Sequence, residues 1–197
     1  MHYCTLLFTE KLPTEKEIEK IMSPYYEGNA KYDNEGRRIG EYPTFEWDWY
    51  QIGGRYNGNL KLQINENDEY YEWGYFTRED RNNSLFYSYL LTKMKNFAKN
   101  SFMYREEDYF PSMGFRDGFL YVDGARVDDV INIEEQDCYI CIDVDGNAIA
   151  RESWNGESFV ADDNFYNKLI EIIRNNKGKF VTVLDVHDWF VNYSAIE

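Results

Sequence analysis

The chain contains two histidines, His2 and His187, the side chains best suited to moving protons near neutral pH. Asp185 lies two residues before His187 in an otherwise apolar segment, so the two side chains share one face if this segment is a strand. A carboxylate beside an imidazole can orient the ring, as general acid–base chemistry requires. We therefore identify His187, Asp185 and His2 as candidate catalytic residues. A structural Asp–His pair is the alternative.

The segment Gly53-Gly54-Arg55 is a candidate anion site. Glycines let backbone N–H groups approach a bound anion closely, and a guanidinium matches a phosphate through two hydrogen bonds. The chain has no P-loop and no dinucleotide-binding fingerprint to accompany this segment. The pattern predicts that Gly53, Gly54 and Arg55 bind a ligand such as a nucleotide. The alternative is a glycine bulge with Arg55 paired to an internal carboxylate, such as Asp48 or Asp129.

The three cysteines, Cys4, Cys138 and Cys141, are predicted to be structural and reduced. Cys138 and Cys141 have the spacing of a redox or zinc pair, but side chains three apart on a strand point to opposite faces. No second cysteine pair or nearby histidine completes a tetrahedral zinc site. Residues 143–147 resemble the start of a calcium loop, but Trp154 takes the place of its bidentate glutamate. We therefore expect no metal and no cofactor.

The formal net charge of −15, from 36 acidic and 21 basic residues, restricts the class of partner. Direct binding of nucleic acid or of an anionic membrane requires clustered Lys and Arg, so neither is expected. An acidic chain favours partners with basic surfaces, including the nucleic-acid-binding grooves of other proteins. Charge that only keeps the protein soluble is the alternative. The sequence shows no signal peptide and no run of about 20 apolar residues, so a cytoplasmic location is expected.

Tyrosine is abundant, with 18 residues, many of them beside acidic residues. Its side chain supplies rigid contact area with a polar tip, and this favours protein interfaces. Tyr70 and Tyr71, flanked by Glu69 and Glu72, are the candidate partner-binding residues, where spaced carboxylates would imitate a nucleic-acid backbone. Ordinary half-buried tyrosines are the alternative.

The hydrophobic patterns predict a single α+β domain over residues 1–197, with a mixed, largely antiparallel sheet and about three packed helices. Apolar residues make up 43% of the chain, enough for a core. Strands are predicted at 3–9, 45–52, 59–64, 70–76, 118–122, 138–144, 147–153 and 180–186, and helices begin at Thr14, at Asn83 or Ser84, and at 162–163. Residues 59–64 and 70–76 are expected to form a hairpin, residues 27–44 a long loop, and residues 188–197 a C-terminal tail.

Residues 47–56, which read WDWYQIGGRY, resemble a W-D-W-Y-x-I-G-G-R-W motif found in uncharacterised proteins of bacteriophages and prophages. Members of that family also begin with a short strand carrying a His-aromatic pair, as His2-Tyr3 does here. They tend to end with a strand reading T-V-x-D-x-H, as residues 182–187 do. The resemblance spans most of the chain. It departs from the motif at Tyr56, where tryptophan is usual, and in an additional C-terminal tail.

The resemblance implies a phage accessory protein and brings no established activity. Small acidic phage proteins are often counter-defence factors, so the first expectation is an inhibitor, anti-CRISPR-like or anti-restriction-like, that binds a host defence protein through an acidic, tyrosine-rich surface. The second expectation is a protein that sequesters or cleaves a cyclic or linear nucleotide at Arg55, His187 and Asp185. The third is a virion or assembly component. The sequence leaves open whether the protein is an enzyme, and it favours a binding protein over one.

Overall fold

The structure is a computed structural model that describes residues 1–63, 74–76, 113–116 and 119–188. Within these ranges the chain has the predicted α+β architecture, in which helices pack on a mixed and mostly antiparallel sheet. The described α-helices are α1 (Glu15–Met22) and α2 (Phe165–Asn175). The helix predicted to begin at Asn83 or Ser84 lies outside the described residues, as does the C-terminal tail beyond Asp188.

The strands of the described part are mostly short. They are β1 (His2–Thr9), β2 (Lys31–Tyr32), β3 (Arg38–Ile39), β4 (Trp49–Ile52), β5 (Leu60–Gln63), β6 (Gly74–Phe76), β7 (Met113–Arg116), β8 (Phe119–Val122), β9 (Gly124–Arg126), β10 (Ile140–Ile142), β11 (Ala148–Ala150), β12 (Glu152–Trp154), β13 (Phe159–Ala161) and β14 (Phe180–His187). β1 and β14 are the longest, with 8 residues each, and nearly every residue in them is buried. Such strands are packed on both faces, which explains their continuous apolar sequence.

β14 is the centre of the main sheet, whose order is β11-β10-β1-β14-β4. It pairs antiparallel with β1 along its whole length, from His2 opposite His187 to Thr9 opposite Phe180. On its other edge, β9 pairs with the first part of β14 and β4 with the last part. β1 pairs with β10 in parallel. The prediction of a strand at 180–186 in the middle of the sheet is confirmed.

Helices and the second sheet cover the two faces of the main sheet. On one face, Leu6 of β1 belongs to a core cluster with Leu169 of α2. On the other face, Leu7 belongs to a second cluster with Ile18 of α1. All four side chains are fully buried, and burial of one such side chain contributes about 1.5–3 kcal/mol. Because the side chains of β1 alternate between the two faces of the sheet, this strand contributes to both hydrophobic clusters.

Both described helices follow from local signals in the sequence. α1 begins with the predicted capping box: Thr14 Oγ1 accepts the N–H of Glu17 at 3.2 Å, and Glu17 Oε2 accepts the N–H of Thr14 at 2.8 Å. α2 buries one residue in every four, namely Phe165, Leu169 and Ile173. In the part of the chain that the structure describes, no helix is long and apolar enough to span a membrane.

The second sheet has four antiparallel strands in the order β5-β8-β7-β6. The predicted hairpin between residues 59–64 and 70–76 is wrong, because β5 pairs with β8 and β6 pairs with β7. β7 and β8 pair with each other and lie between β5 and β6 in the sheet. Turn-forming residues between two strands predict a reversal of the chain, but they do not identify the partner of each strand.

The hairpin predicted at Asp145-Gly146 is confirmed, since β10 pairs with β11 on either side of it. Asp143 Oδ1 accepts the backbone N–H groups of Asp145 at 3.0 Å and of Asn147 at 2.9 Å. Gly146 adopts a φ of 83°, which favours glycine. The Asp143 carboxylate thus closes the turn of this hairpin.

Residues 27–44 are more regular than the predicted long loop. β2 and β3 form a two-stranded sheet within them. Arg38 donates through both terminal nitrogens to Glu46, at 2.7 and 2.6 Å, and each of the two side chains is 9% exposed. A bidentate charge-assisted pair of this kind is strong and directional. It fixes the loop to the segment that enters β4, which the turn-rich composition of the loop did not predict.

The reactivity of the three cysteines tests whether they are buried in the core. Cys4, Cys138 and Cys141 are buried and form no disulfide. Burial raises the pKa of the Cys4 thiol to about 12 and also raises the pKa values of Cys138 and Cys141. Since the thiolate is the reactive form, we expect no alkylation by iodoacetamide in the folded protein at about pH 8, and full alkylation in guanidinium chloride. Mass spectrometry checks this, and labelling of folded protein at Cys138 or Cys141 would contradict it.

Candidate functional site

The pairing of β1 with β14 brings the two histidines together at one end of the main sheet. His2 lies directly opposite His187, and Cys4 lies opposite Asp185. Because side chains alternate along each strand, His2, Asp185 and His187 share one face. The structure therefore brings the three candidate catalytic residues into one cluster.

Asp185 holds the imidazole of His2. The His2 Nδ1 atom lies 2.8 Å from Asp185 Oδ1, and Asp185 Oδ2 accepts the backbone N–H of Arg55 at 3.0 Å. The Asp185 side chain is 1% exposed and the His2 side chain is 20% exposed. A buried carboxylate engaged through both oxygens has little freedom, so it fixes the orientation of the ring. Within the described residues, Nε2 of His2 forms no hydrogen bond, and this nitrogen can face a substrate.

A second Asp–His pair lies beside the first. The His187 Nδ1 atom lies 2.6 Å from Asp48 Oδ1, and the two side chains are 19% and 14% exposed. The Asp48 N–H also donates to the His187 carbonyl oxygen at 3.2 Å, immediately before β4 begins. Asp48 is therefore tied to His187 through both its backbone and its side chain.

The two imidazole rings are in contact. Their centroids are 4.8 Å apart with an angle of 62° between the ring planes, and the His2 ring also lies 5.8 Å from the ring of Trp49. Trp49 is 45% exposed, so the cluster borders the surface. Two adjacent acid–base groups can accept a proton at one point of a substrate and donate a proton at another.

The glycine pair beside this cluster accommodates internal carboxylates. Gly53 and Gly54 have φ values of 68° and 54°, in the left-handed region. A Cβ atom on Gly53 would lie 2.6 Å from Asp123 Oδ2, and a Cβ atom on Gly54 would lie 2.6 Å from Asp185 Oδ2. Glycine is needed at both positions because a buried carboxylate occupies the space that a side chain would take.

Internal acceptors also use the N–H groups of this segment. Gly53 donates to the Val183 carbonyl at 2.9 Å, Arg55 donates to Asp185, and Gly58 donates to Asp123 Oδ1 at 2.5 Å. These donors are therefore not offered to an outside anion. The Arg55 side chain is exposed, and its guanidinium forms no ion pair within the described residues. Of the three residues predicted to bind a ligand, Arg55 is the one whose side chain can do so.

Tyr56 connects the glycine segment to β1. Its hydroxyl donates to the His2 carbonyl oxygen at 3.0 Å. Burial, followed by the nearby Cys4 and Asp185, raises the pKa of Tyr56, so the hydroxyl keeps its proton and remains a donor. Tyr56 thus holds the backbone of a candidate catalytic residue.

The other predicted site residues are not tested by this geometry. Tyr70, Tyr71, Glu69 and Glu72 lie outside the described residues, so their role in partner binding stays a prediction. Among the residues that the structure describes, no three His, Cys, Asp or Glu side chains are arranged to hold a metal ion. A pocket of about 560 Å³ lies at the opposite end of β1, beside Lys11, and none of the candidate catalytic residues lines it.

Three residues of the cluster were not predicted as site residues. They are Asp48, Tyr56 and Asp123, which hold His187, the His2 backbone and the glycine segment respectively. Asp48 lies between two tryptophans, and Asp123 directly follows the buried Val122. A carboxylate in such an apolar setting requires a partner, and this was the available signal.

Comparison of the chain with protein-family models, with curated proteins and with solved structures finds no match. The resemblance of residues 47–56 to a phage motif therefore stays a prediction. The two Asp–His pairs and the residues around them are the features of the molecule that indicate a function.

Substitution of Gly54 tests the close approach of Asp185. Gly54→Ala combines left-handed strain of about 1 kcal/mol with displacement of a buried carboxylate, so we expect a loss of at least about 2 kcal/mol in unfolding free energy. Gly36→Ala is the matched control, because Gly36 has a φ of 79° and no atom lies within 4 Å of the position that a Cβ would take there. It should lose about 1 kcal/mol. Denaturant unfolding measures both, and equal losses would contradict the close approach.

Proposed function

We propose that the protein is an enzyme that cleaves a phosphate ester or phosphodiester, such as a cyclic or linear nucleotide, by general acid–base catalysis at the two Asp–His pairs. The observation that carries this proposal is the contact between two imidazoles, 4.8 Å apart, with each Nδ1 held by a different carboxylate. One Asp–His pair is a common structural contact. Two in contact supply both the proton acceptor and the proton donor that a cleavage reaction needs.

In the proposed reaction one ring gains a proton and the other loses one. One imidazole takes the proton of the attacking water or hydroxyl as its oxygen bonds to phosphorus. The other gives a proton to the leaving oxygen as its bond to phosphorus breaks. His2 acts through Nε2 with Asp185 holding the ring, and His187 performs the complementary transfer with Asp48 holding its ring. Arg55 neutralises the phosphate, since its backbone is fixed on Asp185 while its side chain is exposed.

The charge of the chain favours a small substrate. A net charge of −15 repels polyanions, so a short nucleotide bound near one arginine is a better fit than a nucleic acid. The resemblance to phage proteins suggests a nucleotide that signals in host defence, in the cytoplasm of a bacterium. Free, buried cysteines are consistent with a reducing compartment.

Turnover of nucleotides by purified protein tests this proposal. Cyclic dinucleotides, cyclic mononucleotides and linear dinucleotides are incubated with the protein, and the products are separated by chromatography. We expect cleavage of at least one class, with kcat/KM lowered about 100-fold or more in His2→Gln and in His187→Gln. Asp48→Asn should lower kcat with little change in KM, because it disturbs the orientation of the His187 ring without touching the substrate.

Two arginine variants serve as a matched pair in the same experiment. Arg55→Ala should raise KM and abolish the thermal stabilisation that a bound nucleotide gives. Arg37→Ala should change neither, because Arg37 is exposed on the β2–β3 hairpin and pairs with Asp33 and Glu35. Absence of both turnover and thermal stabilisation with every nucleotide would contradict the proposal, and so would full activity in His2→Gln.

A counter-defence inhibitor is the second candidate, and exposed apolar side chains favour it. Tyr26, Tyr32 and Ile39 are 43%, 53% and 58% exposed and lie on or just before the β2–β3 hairpin. Exposed tyrosine and isoleucine beside carboxylates such as Glu35 suit contact with a protein that has a basic surface. The proposed partner is a host defence protein that handles nucleic acid.

Phage plating on bacteria that carry a cloned defence system tests the second candidate. Expression of the protein should restore plating, and the double variant Tyr32→Ala, Ile39→Ala should lose this effect because it removes exposed contact area. Val160→Ala is the control, since Val160 is 47% exposed on β13. Restoration that persists in the double variant, or that requires His2, would count against an inhibitor that acts through this hairpin.

A further inference from the structure

A small cavity on the other face of the main sheet is lined by aromatic rings and carboxylates. It lies where the β12–β13 hairpin meets residues 42–46, and none of the candidate catalytic residues lines it. Its aromatic lining residues are Tyr3, Tyr42, Phe45, Tyr139, Trp154 and Phe159. The centre of a water molecule can occupy about 30 Å³ of it, so the cavity admits one compact head group and not a whole ligand.

The rings of this cavity meet at steep angles. The ring planes of Tyr42 and Trp154 are 83° apart with centroids separated by 6.5 Å, and those of Trp154 and Phe159 are 59° apart with centroids separated by 5.0 Å. Trp154 thus contacts both of the other rings, and all three line the cavity. Several aromatic rings around one small space are also found in the aromatic cages that hold organic cations.

Carboxylates also line the cavity. Glu152 and Asp188 line it, and its lining contains no Lys or Arg among the residues that the structure describes. The Tyr139 hydroxyl donates to Glu152 Oε2 at 2.7 Å, and burial followed by Glu152 raises the pKa of Tyr139. Burial followed by Asp188 and Glu152 raises the pKa of Tyr3. Within the described residues, no basic side chain forms an ion pair with Glu152, so its charge is open to a ligand.

At the edge of this cavity, Arg38 already contacts both an aromatic ring and a carboxylate. The Cζ atom of Arg38 lies 4.5 Å from the centre of the Tyr42 ring while its nitrogens bind Glu46. An aromatic face and a carboxylate together thus hold a cation at this place in the fold. Glu152 supplies a further carboxylate in the lining.

We propose that this cavity binds the head group of an organic cation, either an alkylammonium or a guanidinium. The head group lies against the rings of Trp154 and Phe159, and its charge faces Glu152. The cation comes either from a free amine or from an arginine side chain of another protein. This site is independent of the acid–base cluster, since it uses the other face of the sheet and none of the reacting residues.

Titration by ¹H–¹⁵N NMR tests the cavity with two pairs of ligands. Choline is compared with its neutral isostere 3,3-dimethylbutan-1-ol, and Nα-acetylarginine methylamide is compared with the citrulline counterpart. The probe is the indole N–H resonance of Trp154, assigned by its absence in Trp154→Phe. We expect saturable shifts with at least one cation and about tenfold weaker binding, or none, of its neutral isostere. Binding of choline indicates a free amine, and preference for the arginine derivative indicates a protein side chain.

Two glutamate variants complete the experiment. Glu152→Gln should weaken binding of the cation severalfold, because it removes the charge while its side-chain oxygen still accepts from Tyr139. Glu157→Gln should have no effect, since Glu157 lies in the turn of the same hairpin and does not line the cavity. The proposal is overturned if neither cation saturates below about 50 mM, if the neutral isosteres bind equally, or if Glu152→Gln binds as the wild type does.

Discussion

The antiparallel pairing of β1 with β14 is the interaction on which the rest of the structure depends. Both strands are apolar on both faces, so hydrophobic burial alone leaves their register poorly specified. Asp185 favours the observed register, because there its buried carboxylate meets the imidazole of His2. A slip of β1 by one residue would move His2 away and leave this oxygen of a buried carboxylate without that partner, which is costly. The polar pair that forms the candidate site therefore also selects the fold.

Asp185 couples the stability of the glycine segment to the orientation of His2. One oxygen holds the imidazole and the other holds the backbone of Arg55, while Gly54 leaves room for the carboxylate. Asp123 stabilises the same segment without contacting a histidine ring: it occupies the space beside Gly53 and accepts the N–H of Gly58. The two glycines of the motif are thus explained by internal acceptors, with no need for a bound phosphate. The part of the segment that can contact a ligand is the exposed side chain of Arg55, whose backbone Asp185 holds in place.

Much of the fold could be predicted from local patterns, and the parts that could not share one cause. The capping box at Thr14, the hairpin at Asp145-Gly146 and the apolar β14 are encoded within short windows of sequence. The pairing of β5 with β8 joins residues about sixty positions apart, and no local window reports it. The same limit applies to the site: the Asp185–His187 face was visible on one strand, whereas the partner of His187, Asp48, comes from a different part of the chain.

β1 begins and β14 ends at the same end of the main sheet. Because side chains alternate along each strand, the two faces of the sheet carry different chemical groups at this end. His2 and His187 lie on the face of the glycine segment, with an exposed arginine beside them, whereas Tyr3 and Asp188 line a cavity of aromatic rings and carboxylates. The net charge of −15 describes neither environment. A formal charge summed over the chain constrains long-range attraction, but the ligand of a site responds to groups within a Debye length or less, about 8 Å at physiological salt. The few residues on each face of the β1–β14 pair therefore decide which class of ligand binds there.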